Sequence, residues 1–306
     1  VEETIARLYT QKEIKTPIHL GIGQEAIAVG LSAGLTSSDK VYSGHRGHAH
    51  YLALGSPIEG LLAEVLGKST GVSKGMGGSM HLISKEHGFH GSVPIVAATI
   101  PIAVGAAIAC QMDREKQVSV CYFGDGACEE GVLHESLNLA SVMNLPVIFV
   151  CENNFFSSHL DIHLRQPSNR LARYAEAHKI RAEVVDGNDV VEMARVSKEA
   201  ISRAREGDGP TFIEAVTYRW CGHVGPNVDL DVGVRRSKEE ILAWKKRDPL
   251  ERLKKSLLQE EDNNEQSFIA IEDDIKNEVR ISLEIARKSP IPLKENLLNF
   301  VLSGSL

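Results

Sequence analysis

Two nearly unbroken apolar runs, residues 118–123 (VSVCYF) and 146–152 (PVIFVCE), flank a segment whose apolar residues Leu133, Leu137 and Ala140 recur at helical spacing. Strand, amphipathic helix, apolar strand predicts a βαβ unit, because a strand is apolar throughout only when both of its faces are covered. The alternation repeats downstream, with a helix over 168–178, a strand over 181–185, a helix over 190–205 and a strand over 210–218. From about 237 to 288 the pattern becomes charged and helical.

Upstream the signals are less regular. Gly23-Gln24-Glu25 opens an apolar helix over 26–35, and residues 44–47 read as a polar loop. Pro57 starts a further helix through Leu66. Residues 67–92, rich in Gly, Ser and His, read as a long functional loop. Residues 101–110 (PIAVGAAIAC) are small and apolar all round, which predicts a buried helix. The opening residues 1–9 read as the middle of a helix, so a short preceding segment is expected. Together these elements predict one α/β domain over 1–306, with a mixed or parallel central sheet and a helical extension from about 237.

Composition changes this picture little. The 306 residues are 42% hydrophobic and 25% charged, as in ordinary globular chains. A net charge of −7 gives no electrostatic footprint for nucleic acid. No apolar run reaches the length of a membrane span. The five cysteines, Cys110, Cys121, Cys128, Cys151 and Cys221, show no Cys-x-x-Cys spacing and read as buried reduced thiols of a cytoplasmic protein.

The chemistry concentrates where the predicted strands end. Gly124-Asp125-Gly126 follows the first strand directly and Asn153-Asn154 follows the second. Right-handed crossover places both loops on one edge of a parallel sheet, where ligands bind. An Asp carboxylate and an Asn carbonyl are hard oxygen ligands suited to magnesium. Gly126 precedes a helix whose N-terminal amides favour phosphate oxygens. Either loop alone is an ordinary turn; the pair at two strand ends points to a magnesium-bridged diphosphate. The histidine-rich runs, His45, His48 and His50 and then His81, His87 and His90, lack the cysteine or carboxylate that completes a usual zinc set and read as structural or solvated.

At this point the chain resembles a known family. Gly124-Asp125-Gly126, the spacer 127–152 and Asn153-Asn154 resemble the thiamine diphosphate motif. The surrounding residues resemble the alpha subunits of pyruvate and acetoin dehydrogenases. So do Gly23-Gln24-Glu25-Ala26, His45-Arg46-Gly47-His48, residues 74–81 (KGMGGSMH), residues 101–105 (PIAVG) and residues 218–223 (YRWCGH), all in order.

The resemblance implies a thiamine-diphosphate-binding fold with a mostly parallel sheet flanked by helices on both faces. It implies magnesium ligands at Asp125, Asn154 and the Phe156 carbonyl, with Arg46, His45, Gly126 and Ala127 beside the diphosphate. Pro94, Ile95 and Val96 would meet the aminopyrimidine, although the family usually has Gly where this chain has Pro94. His48 and His223 match active-site histidines, which can stabilise an oxyanion or relay protons. Val224 follows His223, so the serine phosphorylated at that place in animal relatives is absent. Asp229, Asp231, Arg235 and Arg236 are candidates to order the loop after His223, although exposed charges in a loop are usually just solvated.

The implied reaction is oxidative decarboxylation of a 2-oxo acid, pyruvate foremost, with transfer of the acyl group to a lipoyl-bearing acyltransferase or carrier. Acetoin cleavage is the close alternative, favoured by His45. Transketolase-like transfer of a two-carbon unit is a third, left open by the unusual Phe155-Phe156-Ser157-Ser158. The family's activating Glu resides on a beta subunit, and Glu25, Glu86 and Glu152 do not match it. The chain is therefore expected to act only in an α₂β₂ heterotetramer. Residues 26–35 and 95–110 are candidate interface surfaces, though core burial explains them equally well.

Overall fold

The computed structural model describes residues 1–113, 115–228, 230–231, 234–260 and 264–299. In chain order the elements are α1 (Glu2–Thr10), α2 (Glu25–Ser32), β1 (Lys40–Ser43), α3 (His48–Ala53), α4 (Ile58–Val65), β2 (Phe89–Ser92), α5 (Thr99–Asp113), β3 (Ser119–Gly124), α6 (Gly131–Val142), β4 (Val147–Asn153), β5 (Phe156–Ser157), β6 (Leu160–Asp161), α7 (Ala172–Ala177), β7 (Arg181–Asp186), α8 (Val190–Glu206), β8 (Thr211–Val216), β9 (Leu230–Asp231), β10 (Val234–Arg235), α9 (Lys238–Lys245), α10 (Pro249–Leu257) and α11 (Glu265–Lys288). Six strands make one sheet in the order β2-β1-β3-β4-β8-β7, and every neighbouring pair is parallel. The expected α/β architecture is therefore present.

The alternation along the central strands sorts the core into two halves. Val118, Val120 and Tyr122 beside β3, Ile148 and Val150 on β4 and Ile213 on β8 join one buried cluster with Ile27 and Leu31 of α2 and Met193 and Ala200 of α8. Cys121, Phe123, Phe149, Cys151 and Phe212 join the other, with Ala103 and Ala107 of α5 and Leu133 and Leu137 of α6. Successive strand side chains point to opposite faces, so both faces of the sheet are covered. This is why β4 is apolar at successive positions: all of its residues are buried.

Helix boundaries follow local chemistry. Asp189 caps α8 by accepting from the backbone amides of Val191 and Glu192, and Gly207 ends it at φ 84°. Its buried face, Met193, Val196, Ala200 and Ala204, has helical spacing. It packs closely on α2 because Gly30 has no side chain; a Cβ there would sit 2.6 Å from the Met193 Cβ.

Some expectations shift. The segment 67–92 was expected to be loop throughout, yet its end forms strand β2 beside β1. Both strands lie to one side of β3 and mix polar with apolar residues, KVYS and FHGS, so neither shows the unbroken apolar run that marks the sheet centre. The helix expected over 168–178 spans only Ala172–Ala177. No described helix is long and apolar enough to cross a membrane.

Candidate active site

Strands β1, β3, β4 and β8 lie side by side, and the loops leaving their carboxyl ends close around a cavity of about 210 Å³. Gly124 of β3 is in register with Glu152 of β4. The turns carrying Asp125 and Asn154 therefore start level with each other. Arg46, His45, Pro94, Ile95, Val96, Asp125, Gly126, Ala127, Asn154, Phe156 and His223 all line the cavity. These are the residues picked out from the sequence, with one exception.

That exception is His48. It is fully buried in the first turn of α3 and does not line the cavity. Its Nδ1 pairs with Glu2 at 2.9 Å and its Nε2 with the Ser79 hydroxyl at 2.8 Å. Glu2 also accepts from the Gly21 amide at 2.8 Å. Both ring nitrogens are thus committed to joining α1, α3 and the 73–80 loop, which is a positioning role.

Asp125 is 1% exposed and sits at the start of a short 3-10 turn running to Glu129. Burial pushes its carboxyl above the ordinary value, against the opposing pull of Arg165. Arg165 donates to Asp125 and to Glu129. Asn154 is held from two sides. Its Nδ2 donates to Gln24 Oε1 at 3.2 Å, while its Oδ1 accepts from Arg219 Nε at 3.3 Å and from the Phe156 amide at 3.4 Å. Asn153 is committed elsewhere, donating to Glu214 at 2.8 Å. Of the two asparagines, only Asn154 lines the cavity.

The floor leaves room for backbone approach. At Gly126 an added Cβ would lie 2.4 Å from Ser157 Oγ, so only Gly fits beneath the β5–β6 hairpin. Ile95 and Val96 stand exposed at 70% and 51% on the cavity wall. They precede Ala97, which holds the left-handed conformation at φ 62°. An exposed isoleucine on a cavity wall is suited to backing an aromatic ligand.

Cationic and imidazole groups also line the cavity. Arg46, 8% exposed, donates from Nη1 to the Leu20 carbonyl at 2.5 Å and from Nη2 to the His223 carbonyl at 3.5 Å. Burial, then the neighbouring Arg46 charge, holds His45 down to about 2 and His223 down to about 3. His19 is held down to about 3 by the same two causes. All three rings are thereby held in the neutral form near pH 7.

His50 is structural: Nδ1 meets Ser43 Oγ at 2.8 Å, Nε2 meets Glu152 at 3.1 Å, and the ring stacks on Tyr122. Cys221 is buried, and burial pushes its thiol up, away from nucleophilic use. In the loop after His223, Arg236 donates to the carbonyls of Arg219, Trp220 and Val228. It orders that loop as expected. Asp229 lies outside the described residues, as do the side chains of Asp231 and Arg235.

Several working residues had no role assigned from the sequence. His19 lines the cavity, while Gln24 and Arg219 bond to Asn154 and Arg165 bonds to Asp125. Gln24 and Arg219 stand within the quoted motifs, but only the tertiary fold shows these contacts. Glu64 is another. Fully buried on α4, it accepts from the amides of Ser73, Gly75, Gly77 and Gly78 at 2.7–2.9 Å and so shapes the loop that presents Ser79 and Met80. A glutamate followed at a distance by Gly-Met-Gly-Gly was the only available cue.

Comparison with known proteins bears on the same site. The family described as "Dehydrogenase E1 component" matches residues 1–295. The alpha subunit of an acetoin:2,6-dichlorophenolindophenol oxidoreductase from Bacillus subtilis is 37% identical, over 98% of this chain and 89% of that protein. Pyruvate dehydrogenase E1 component alpha subunits from Porphyra purpurea and Zymomonas mobilis are 37% and 38% identical. Each match covers 99% of this chain, with 89% and 85% of the respective relatives.

Proposed function

The chain belongs to the dehydrogenase E1 component family, and on that premise we propose that it is the alpha subunit of a thiamine-diphosphate-dependent 2-oxo acid dehydrogenase acting on pyruvate. The observation that carries this reading is the convergence of Asp125 and Asn154, from the ends of adjacent strands, on one cavity that also holds Arg46 and His223.

The residues present fit the cofactor. Asp125 and the Asn154 amide oxygen, with the Phe156 carbonyl, make a hard-oxygen donor set for magnesium. A buried carboxyl already raised by desolvation gains from an adjacent dication. Gly126 and Ala127 offer backbone amides, and Arg46 a fixed cationic fork, to diphosphate oxygens. Pro94, Ile95 and Val96 form the wall that would receive the aminopyrimidine. When bound, thiamine diphosphate supplies the nucleophilic carbon and the electron sink for decarboxylation.

The chain's own part is orientation and charge. His223, neutral, would donate a hydrogen bond to an oxygen that gains negative charge, with Arg46 close behind it. His45 would meet the diphosphate from the side. His48 would hold the 73–80 loop against α1, and the acyl group would pass to a lipoyl carrier.

Among the described residues, no glutamate lining the cavity is free for the activating role. Glu152 lines the cavity but is paired with His50. Glu25 accepts from the Gly23 amide away from it. We therefore place the missing carboxylate on a beta subunit, in an α₂β₂ assembly with the cofactor between subunits. The apolar wall at Ile95 and Val96, continued by Ile102 at 48% exposure, is the surface such a partner would cover.

One observation favours a second reading, acetoin cleavage: a relative 37% identical carries that substrate in its name. Both readings are tested by co-expressing the chain with its beta partner and following reduction of an artificial electron acceptor. Turnover with pyruvate is expected. Turnover with acetoin alone would replace the first reading by the second. Activity of this chain without a partner would overturn the split site.

A further inference from the structure

Three imidazoles that line the cavity face one another, and no sequence run groups them. His19 precedes α2, His45 follows β1 and His223 follows β8. Their candidate ligand nitrogens all lie within 4.8 Å of one another. The rings meet edge to face, with centroids 4.6, 5.0 and 5.2 Å apart. Among the described residues no other set of three His, Cys, Asp or Glu side chains converges in this way.

His19 adds an independent sign. It is 6% exposed and lines the cavity, yet its Nδ1 is buried without a hydrogen-bond partner. A buried polar nitrogen left unpaired is costly and rare in a native fold. A ligand that uses an imidazole lone pair, or that turns the ring so that Nδ1 finds a partner, removes that cost.

We propose that His19, His45 and His223 form a binding site for a borderline-soft divalent cation, zinc foremost, distinct from the oxygen donors of Asp125 and Asn154. Three imidazoles with an open fourth position are a recurrent zinc ligand set. Zinc–nitrogen bonds of about 2.0–2.1 Å put tetrahedral ligand nitrogens about 3.4 Å apart. The trio therefore has to close by at most about 1.5 Å, within reach of side-chain rotation. The rings enter neutral, so no proton has to leave before metal binds.

Arg46 stands beside the trio and opposes a dication there. An anionic fourth ligand, chloride or hydroxide, meets that charge and turns Arg46 into a partner of the complex. Magnesium does not compete, because it prefers hard oxygens and near-octahedral geometry over imidazole. In the cofactor-free chain magnesium is directed to the oxygen donors and zinc to the histidines. Because His45, His223 and Arg46 also face the proposed cofactor, zinc at these rings competes with thiamine diphosphate, and its binding to the cofactor-free chain does not depend on that reading.

The test titrates zinc chloride into the metal-free full chain by calorimetry in a non-coordinating buffer, with cobalt(II) as a visible-spectroscopic probe. One zinc per chain is expected, with cobalt bands of a four-coordinate nitrogen-rich site. His19→Gln, His45→Gln and His223→Gln should each weaken zinc at least about tenfold and remove those bands. Asp125→Asn should leave zinc affinity within about twofold. His19→Asn repeats the key substitution with a shorter amide, and melting curves establish that each variant is folded. Absence of stoichiometric zinc binding overturns the proposal. So does binding that survives the histidine substitutions, or that is lost in Asp125→Asn.

Discussion

The guanidinium of Arg165 is bonded to the carboxylate of Asp125, the residue that would hold magnesium. Arg165 reaches it from beyond the β5–β6 hairpin and is nearly as buried as its partner. Arg165→Met leaves Asp125 buried without its counter-charge and should destabilise the cofactor-free chain by about 3 kcal/mol or more. Magnesium with thiamine diphosphate replaces that charge. The rise in melting temperature on adding both should therefore be larger in Arg165→Met than in the parent. An equal or smaller rise would mean that the cation does not take Asp125.

The contact of Gly126 with Ser157 predicts a steric effect that can be reversed. In Gly126→Ala the new methyl carbon would lie 2.4 Å from the Ser157 hydroxyl and 2.8 Å from its Cβ. The hairpin must lift, and cofactor affinity should fall at least about tenfold, or roughly 1.4 kcal/mol. Removing the obstructing side chain with Ser157→Gly should restore part of that loss. A double-mutant cycle with zero coupling in cofactor titrations would show that the two residues do not meet.

Glu64 makes its prediction through the backbone. Glu64→Gln puts an amide where four N–H groups need acceptors, and should cost about 3 kcal/mol in urea denaturation. Cleavage by a protease should rise first within residues 67–80. A change below about 1 kcal/mol would mean that the loop is held by other contacts.

The lowered histidines set the acid limb of stability. The folded chain holds His19, His45 and His223 neutral at about 3, 2 and 3, against 6.5 in the unfolded chain. Below pH 6.5 the unfolded state binds protons that the folded state refuses, so stability is full above pH 6.5 and falls as pH drops. His19→Gln should flatten the slope of unfolding free energy between pH 6.5 and about 4. An unchanged slope would place the acid sensitivity elsewhere.

Glu25 works in the opposite direction. Burial pushes its carboxyl from 4.5 up to about 7. The folded state then keeps a proton that the unfolded state has lost, so stability falls as pH rises from 4.5 through about 7. Glu25→Gln removes that penalty while keeping an acceptor for the Gly23 amide. It should stabilise the chain at pH 8 by about 3 kcal/mol and have little effect at pH 4.5. Equal effects at both pH values would argue against a buried proton.

Much of the site was legible where the chemistry sits directly on an apolar strand. Asp125 and Asn154 were found because β3 and β4 carry unbroken apolar runs, and a parallel crossover puts their ends on one edge. β1 and β2 were not, since KVYS and FHGS lack that pattern. His48 shares the run His45-Arg46-Gly47-His48 with two cavity residues, yet the start of α3 turns it toward Glu2 and Ser79. His19 and Arg165 were illegible for a general reason: their partners lie far away along the chain, and periodicity reports only local structure.

The alternation that sorts the two halves of the core also acts as a ruler for the site. In β4, Ile148 and Val150 face one cluster while Phe149 and Cys151 face the other. One inserted residue ahead of Asn153 would exchange those faces and carry Asn154 past its level with Asp125. The reading frame of this strand is thus fixed twice, by packing and by the spacing of two ligand groups. Variation among such chains is expected to proceed by substitution around the rim, as at Pro94, Phe156 and Ser157, while strand lengths stay constant.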